Sequence, residues 1–159
     1  MTQRIQISVI GAAKGEPEIL RDAEAVGRGI AEADAVLVCG GLTGVMEAAS
    51  KGAAEAGGTV VAVLPTVTPE DANPYATHAV ATGTGQARNL AVVASGQAVI
   101  AVGGEWGTLS EIAYARKLGR PVVALQSWIL RNRAGTDLGI VEAETPEHAV
   151  EAAVAAGAR

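Results

Sequence analysis

The chain has 159 residues, 49% of them apolar, and this length suits one domain with a substantial core, residues 1–159, rather than two. Its 12 basic and 17 acidic residues give a net charge of −5 without any run of Lys or Arg, which argues against binding of nucleic acid. One cysteine, Cys39, forbids an internal disulfide, and no apolar stretch has the length of a membrane span, so we expect a cytoplasmic protein that binds no membrane.

The first half of the chain alternates short apolar runs with helical patterns. The predicted strands are Ile5 to Ile10, Ala35 to Cys39 and Thr59 to Leu64. Between them, apolar residues recur with helical spacing over 19–30 and from about 45 to 56. Thr59 to Leu64 is almost wholly apolar, which is typical of a parallel strand covered on both faces.

The segment from Thr66 to Ala76 interrupts this alternation with two prolines and several polar residues. It predicts an exposed loop that follows a strand end. Two interpretations are open, a lid over a binding site or a plain connection between elements.

The second half resumes the alternation. Predicted strands are His78 to Ala81, Ala98 to Val102, Val122 to Leu125 and a final edge strand, Gly139 to Glu142. Predicted helices run from about Ala87 to Ala94, from the glycine turn after Val102 to about Leu118, and from Thr145 to Gly157. Thr145-Pro146 is a clear helix start, with Thr as the N-cap and Pro at the first helical position.

Repeated βα units predict an α/β fold, a doubly wound and mostly parallel sheet with helices on both faces. In such sheets, ligands bind beyond the carboxyl ends of the strands at a topological switch point. Glycine-rich turns follow three of the predicted strands, so they can converge on one cleft that holds a nucleotide-like or phosphorylated ligand. The residues expected to bind it are Gly11, Gly40, Gly41, Thr43, Gly44, Gly103, Gly104, Glu105, Gly107 and Thr108.

The turn from Gly103 to Glu111 has two interpretations. Backbone N–H groups and a helix dipole can meet there and bind an anion. Alternatively, Thr108 and Glu111 form a capping box that only starts the helix.

Two charged residues near the predicted site each have two interpretations as well. Arg88 lies in the first turn of a helix, where a cation opposes the helix dipole, so its side chain faces either an anionic partner or solvent. Glu105 either points to the surface or repels a phosphate in the turn.

Together, four segments resemble the LOG family, formerly described as possible lysine decarboxylases. They are Gly40-Gly41-Leu42-Thr43-Gly44-Val45-Met46, Gly58 to Pro65, Arg88-Asn89, and Gly103-Gly104-Glu105-Trp106-Gly107-Thr108-Leu109-Ser110-Glu111. Gly103 and the motif Gly107-Thr108-Leu109-Ser110-Glu111 resemble the sequences of the branch that includes molybdenum cofactor carrier proteins. The resemblance implies a Rossmann-like fold, a homodimer or homotetramer, and a nucleotide-like or phosphorylated ligand.

The resemblance also implies roles for two residues. LOG enzymes cleave the N-glycosidic bond of nucleoside 5′-monophosphates, and their catalytic carboxylate and arginine fall on Glu111 and Arg88. Two positions depart from the LOG pattern near the phosphate site: Asn89 replaces a lysine, and Glu105 adds a carboxylate to the turn.

Several chemistries lack support. The dinucleotide and P-loop glycine motifs are absent, and no lysine stands in a setting for pyridoxal phosphate. His78, His148 and Cys39 are too scattered to predict a metal site.

Two functions remain. The first is a binding or carrier protein for a small phosphorylated, nucleotide- or pterin-like ligand, such as molybdenum cofactor, with no cofactor required for its own action. The second is a phosphoribohydrolase that uses Arg88 and Glu111. The departures near the phosphate site favour the first. A structural oligomer with a vestigial pocket is a third interpretation.

Overall fold

A computed structural model describes residues 3–159, and its strands form a single seven-stranded sheet. The strands are β1 (Gln6–Gly11), β2 (Val36–Cys39), β3 (Thr59–Leu64), β4 (His78–Ala81), β5 (Ala98–Val102), β6 (Val122–Leu125) and β7 (Ile140–Ala143). Within the described residues, the α-helices are α1 (Pro17–Glu32), α2 (Val45–Glu55), α3 (Arg88–Ser95), α4 (Trp106–Lys117) and α5 (Pro146–Gly157). Two 3₁₀ turns span Pro69–Asp71 and Gly85–Ala87.

The sheet order is β4-β3-β2-β1-β5-β6-β7, and every neighbouring pair is parallel. The predicted α/β, Rossmann-like, doubly wound sheet is therefore confirmed. The chain extends the sheet from β1 towards β4, then crosses back and extends it on the other side from β5 to β7. The switch point thus lies between β1 and β5, where the carboxyl ends of adjacent strands open onto a cleft.

Helices cover both faces of the sheet. Buried side chains of α1, α2 and α5 pack on one face, and those of α3 and α4 pack on the other. Strand β5 shows why its sequence is continuously apolar: Ala98, Ile100 and Val102 face the first layer, whereas Val99 and Ala101 face the second. No residue of β5 is exposed.

Small residues allow α1 and α2 to approach closely. A Cβ at Gly27 would stand 1.9 Å from the carbonyl oxygen of Ala49, and a Cβ at Gly52 would stand 1.9 Å from that of Glu24. The two glycines thus place each backbone against the other helix. Ion pairs of Lys51 with Glu24, at 2.8 Å, lie beside this contact.

The loop from Thr66 to Ala76 is fixed to the second glycine turn by Asn73. The Asn73 backbone N–H donates to the Gly41 carbonyl at 2.8 Å, and its Nδ2 donates to the Leu42 carbonyl at 3.2 Å and to Ser50 Oγ at 3.3 Å. Asn73 itself is buried. No loop residue lines the cavity described below, so the structure favours the plain connection over the lid.

Two helix starts compare differently with their predictions. Helix α5 begins at Pro146, and the Thr145 hydroxyl accepts the His148 N–H at 3.2 Å, so the predicted cap is confirmed. Helix α4 begins at Trp106, two residues before the predicted start at Thr108. In residues 3–159, no helix combines the length and the apolar character needed to cross a lipid bilayer.

Candidate functional site

A cavity of about 300 Å³ lies beyond the carboxyl ends of the neighbouring strands β2, β1 and β5. Residues from four segments line it: 9–13 after β1, 40–46 after β2, 86–89 at the start of α3, and 105–111 at the start of α4. It therefore occupies the switch point of the sheet. Of the residues predicted to form a site, Gly11, Gly40, Arg88, Glu105, Gly107, Thr108 and Glu111 meet there.

Arg88 is the first residue of α3, and its side chain is buried rather than spread over the surface. Its guanidinium lies against Gly40, where a Cβ would stand 2.8 Å from both Cζ and Nη1. Nη1 donates to Asn89 Oδ1, while Nε has no hydrogen-bond partner among residues 3–159. Burial lowers the pKa of Arg88, and the charge of Glu111 opposes that effect. The structure thus favours a charged group that faces an anion within the cavity.

Glu111 lies in the second turn of α4 and is 7% exposed. Burial raises the pKa of its carboxyl from 4.5 to about 7, although the positive charge of Arg88 acts in the opposite direction. The two side chains form no ion pair within 4.0 Å in the described part of the chain. They line the same cavity without such a pair, so a ligand that binds there lies near both residues.

Thr108 is the third residue of α4 and is 2% exposed, yet its Oγ1 has no hydrogen-bond partner in residues 3–159. Glu105 is the residue before the helix, and its side chain makes no capping hydrogen bond either. The capping-box interpretation of Thr108 and Glu111 is therefore wrong. Its physical reason is that Gly104, at φ +119°, turns the chain early and lets the helix begin at Trp106.

Gly104 and Gly107 keep this helix start open. A Cβ at Gly104 would stand 2.5 Å from Thr108 Cβ, so any side chain there would displace the threonine. A Cβ at Gly107 would meet nothing within 4 Å. The first N–H groups of α4 have no partner within the helix, and the helix begins beside the buried Thr108 hydroxyl, an arrangement suited to an anion.

A second cavity of about 300 Å³ adjoins the first. Lys14, Glu16, Ile19 and Gly104 contribute to its wall, and both Ala12 and Glu105 line the two cavities. Gly104 thus belongs to the second cavity rather than the first.

Trp128 stabilises the turn that contains Glu105. Trp128 Nε1 donates to the Glu105 carbonyl at 3.2 Å, and the Trp128 and Trp106 rings stack with centroids 5.5 Å apart. The carboxylate of Glu105 stays exposed and does not take part in this contact.

Four predicted binding residues do not line either cavity: Gly41, Thr43, Gly44 and Gly103. They shape the turns instead. Gly41, Gly44 and Gly103 all have positive φ, between 56° and 75°, and the Thr43 hydroxyl donates to the Ala13 carbonyl at 2.9 Å. A glycine pattern alone cannot separate residues that bend the backbone from residues that face the ligand.

Sequence reasoning missed several residues of the cavity wall, including Met46 and Gln86. Met46 lies in the first turn of α2, where an apolar residue is ordinarily assigned to the core, and its Sδ lies beside Gly40. Gln86 lies in the 3₁₀ turn that precedes Arg88. The sequence offered one signal for these wall residues: Met46 follows the glycine turn at 40–44, and Gln86 lies two residues before Arg88.

Chemically, the first cavity combines a buried cation, a buried hydroxyl without a partner and the N-terminal end of α4. These are the groups that hold phosphate or carboxylate oxygens. Glu111 adds a carboxyl group that is protonated in part near neutral pH.

Comparison with known proteins gives consistent findings. The sequence model of the SLOG cluster4 family matches residues 4–150. An uncharacterized protein of Archaeoglobus fulgidus is 46% identical over 146 residues, 92% of each chain. Among solved structures, the molybdenum cofactor binding protein of Rippkaea orientalis is 34% identical with a TM-score of 0.86 over 96% of each chain. The molybdenum cofactor carrier protein of Chlamydomonas reinhardtii is 30% identical with a TM-score of 0.83, over 99% of this chain and 100% of that one.

Proposed function

Since this chain belongs to the SLOG cluster4 family, whose LOG-like character confirms the broad resemblance seen in the motifs, we propose that it is a binding or carrier protein. Its proposed ligand is a small phosphorylated molecule of the nucleotide or pterin class, and molybdenum cofactor is the first candidate. Two similar structures are a molybdenum cofactor binding protein and a carrier protein, which supports this choice.

One observation carries the proposal: two residues that line one cavity, Arg88 and Thr108, each have a buried polar atom without a hydrogen-bond partner. Arg88 Nε and Thr108 Oγ1 are both buried, and neither has a hydrogen-bond partner among residues 3–159. An unsatisfied buried polar group costs about 1–3 kcal/mol. Both atoms are closed to solvent in this structure, so a ligand oxygen would accept from either one only after its side chain rotates towards the cavity. Such a bond would remove that cost, and the N–H groups of the first turn of α4 would add to the binding.

The lack of a direct Arg88–Glu111 ion pair also supports ligand binding. A carboxylate in contact with the guanidinium would neutralise the cation and occupy its donors. Here the carboxyl group of Glu111 is buried with a pKa of about 7, so at slightly acidic pH much of it is neutral and leaves the positive charge of Arg88 available to an anion.

The direct test is binding of the molybdenum cofactor and of simple phosphate esters by the purified protein. We expect the cofactor released from a molybdoenzyme to bind and to be protected from oxidation, and ribose 5-phosphate to bind more weakly at the same site. Thr108→Val should weaken both without unfolding the protein. If neither compound binds to the wild type at millimolar concentration, the proposal is wrong and the vestigial pocket is favoured.

A second candidate, the phosphoribohydrolase, is favoured by Glu111. A buried carboxyl with a pKa of about 7 can supply a proton to a leaving base and, when ionised, can activate water near an anomeric carbon. In the balanced reaction, water adds to the anomeric carbon, the N-glycosidic bond breaks, and the base leaves with a proton. Arg88, in the same cavity, would hold the phosphate.

Incubation with a panel of nucleoside 5′-monophosphates distinguishes the two candidates. Free base is followed by chromatography for the wild type, for Glu111→Ala and for Glu151→Ala, an exposed control carboxylate of α5 outside both cavities. Base released by the wild type and by Glu151→Ala, but not by Glu111→Ala, would establish the hydrolase as the main function. Binding without release would favour the carrier.

A further inference from the structure

The two cavities beside α4 adjoin each other. They share Ala12 and Glu105, and each holds about 300 Å³. Together they fall within the range of about 300–1,000 Å³ that is usual for small-molecule sites. The two cavities differ in their charged residues: Arg88 and Glu111 lie in the first, whereas Lys14 and Glu16 lie in the second beside small residues and Ile19.

Glu105 lines both cavities. Its carboxylate is exposed, makes no capping hydrogen bond to α4, and has no hydrogen bond or ion pair with another side chain in residues 3–159. An ionised carboxylate only accepts hydrogen bonds, and its two oxygens lie in one plane. It repels phosphate and matches a ligand edge that presents two parallel N–H donors.

The second cavity suits a flat ring beside this carboxylate. Gly15 and Gly104 contribute no side chain to its wall, and Ile19 provides an apolar surface. Ile19 also packs against Gly103, where a Cβ would stand 3.0 Å from Ile19 Cγ2, so its position is fixed by the turn. Lys14 and Glu16 line the same cavity and bring charged side chains to it.

We propose that Glu105 selects ligands with a 2-amino-4-oxopyrimidine edge, the edge shared by guanine and pterins, with the ring in the second cavity and the phosphate in the first. The ring N–H and the 2-amino group donate to the two carboxylate oxygens. This inference rests on the proposed binding of a phosphorylated ligand. It specifies which class of heterocycle the ligand carries and that Glu105 recognises it by hydrogen bonds.

Related bases lack this pair of donors. Hypoxanthine has the ring N–H but no 2-amino group, and adenine presents an amino group beside a ring nitrogen that accepts. Losing one hydrogen bond to a charged group lowers affinity by about 10-fold or more. A glutamine in place of Glu105 presents one acceptor and one donor, which matches adenine instead.

Binding of GMP, IMP, AMP, dihydroneopterin monophosphate and ribose 5-phosphate tests the proposal. Tryptophan fluorescence provides a native signal, because Trp128 donates to the Glu105 carbonyl and stacks on Trp106. For the wild type we expect GMP to bind about 10-fold more tightly than IMP or AMP. For Glu105→Gln we expect the GMP-to-AMP ratio to fall below one. Glu151→Gln, an exposed carboxylate of α5 that lines neither cavity, should keep the wild-type ratio.

The outcomes separate this inference from the proposed function. Equal binding of GMP, IMP and AMP, together with binding of ribose 5-phosphate, would overturn the role of Glu105 and leave the phosphate site intact. Equal loss of selectivity in Glu151→Gln and Glu105→Gln would also overturn it. If ribose 5-phosphate and all nucleotides fail to bind, the proposed function fails as well. Tighter binding of dihydroneopterin monophosphate than of GMP identifies a pterin, and the reverse order identifies a guanine nucleotide.

Discussion

Replacing Glu111 with glutamine should stabilise the protein at alkaline pH and leave its stability nearly unchanged at acidic pH. Burial raises the pKa of the Glu111 carboxyl from 4.5 to about 7 in the folded protein. Below pH 4.5 both the folded and unfolded states are protonated, and the carboxyl adds no pH-dependent term. From pH 4.5 to about 7 only the unfolded state loses the proton, so the free energy of unfolding falls as pH rises. Above pH 7 both states are ionised and the full penalty is present.

The magnitude follows from the size of the shift. Each pKa unit corresponds to about 1.4 kcal/mol, so the penalty above pH 7 is about 3 kcal/mol. Glu111 is 7% exposed, and solvent therefore screens this effect only slightly. Glutamine has nearly the same shape and no charge. For a chain of 159 residues, 3 kcal/mol corresponds to a rise in Tm of about 6–12 °C at pH 8.

Thermal denaturation of the wild type and of Glu111→Gln at pH 5 and pH 8 tests this prediction. Glu105→Gln is the matched control, because Glu105 lines the same cavity but is exposed, and its replacement should change stability by no more than about 0.5 kcal/mol at either pH. A Glu111→Gln advantage of the same size at both pH values would show that the folded protein does not penalise the ionised carboxylate. Our reasoning from burial would then be wrong.

Three other substitutions address the cavity and the fold. Arg88→Met should weaken binding of ribose 5-phosphate by about 10–100-fold in calorimetric titration, since hydrogen bonds to charged groups are worth about 1.5–3 kcal/mol; unchanged affinity would contradict the phosphate site. Thr108→Val should raise Tm slightly, because the buried hydroxyl has no partner, and should reduce phosphate affinity several-fold; a clear loss of Tm would refute that assignment. Gly27→Ala should destabilise far more than Gly40→Ala in thermal denaturation, since the new Cβ would meet the Ala49 carbonyl at 1.9 Å, whereas at Gly40 it meets flexible side-chain ends.

Local sequence patterns predicted the elements well where a single physical cause acts. Thr59–Leu64, His78–Ala81, Ala98–Val102 and Val122–Leu125 are strands over the expected residues. Short apolar runs between glycine or proline residues have few other ways to bury their side chains. The α5 start was also predictable, because its cap is formed within four residues.

The start of α4 was mispredicted because local and tertiary causes compete there. Thr108 has the residue type and spacing of an N-cap, but the conformation of Gly104 and the Trp128 contact with the Glu105 carbonyl set the turn earlier. Trp128 is 23 residues away in sequence. No pattern within the turn contains that information.

The sequence by itself determined the fold class and the glycine turns at strand ends, since periodicity is a local property of the chain. The joint role of Arg88 and Glu111 came from the resemblance to LOG enzymes and stays a prediction. The tertiary structure decided which turn residues face the cavity and that Arg88 and Thr108 are buried with unpartnered atoms. It also decided that Glu111 is buried enough to raise its pKa and that Glu105 joins two cavities. Burial and hydrogen-bond satisfaction depend on segments distant in sequence that meet only when β1 and β5 become neighbours in the sheet.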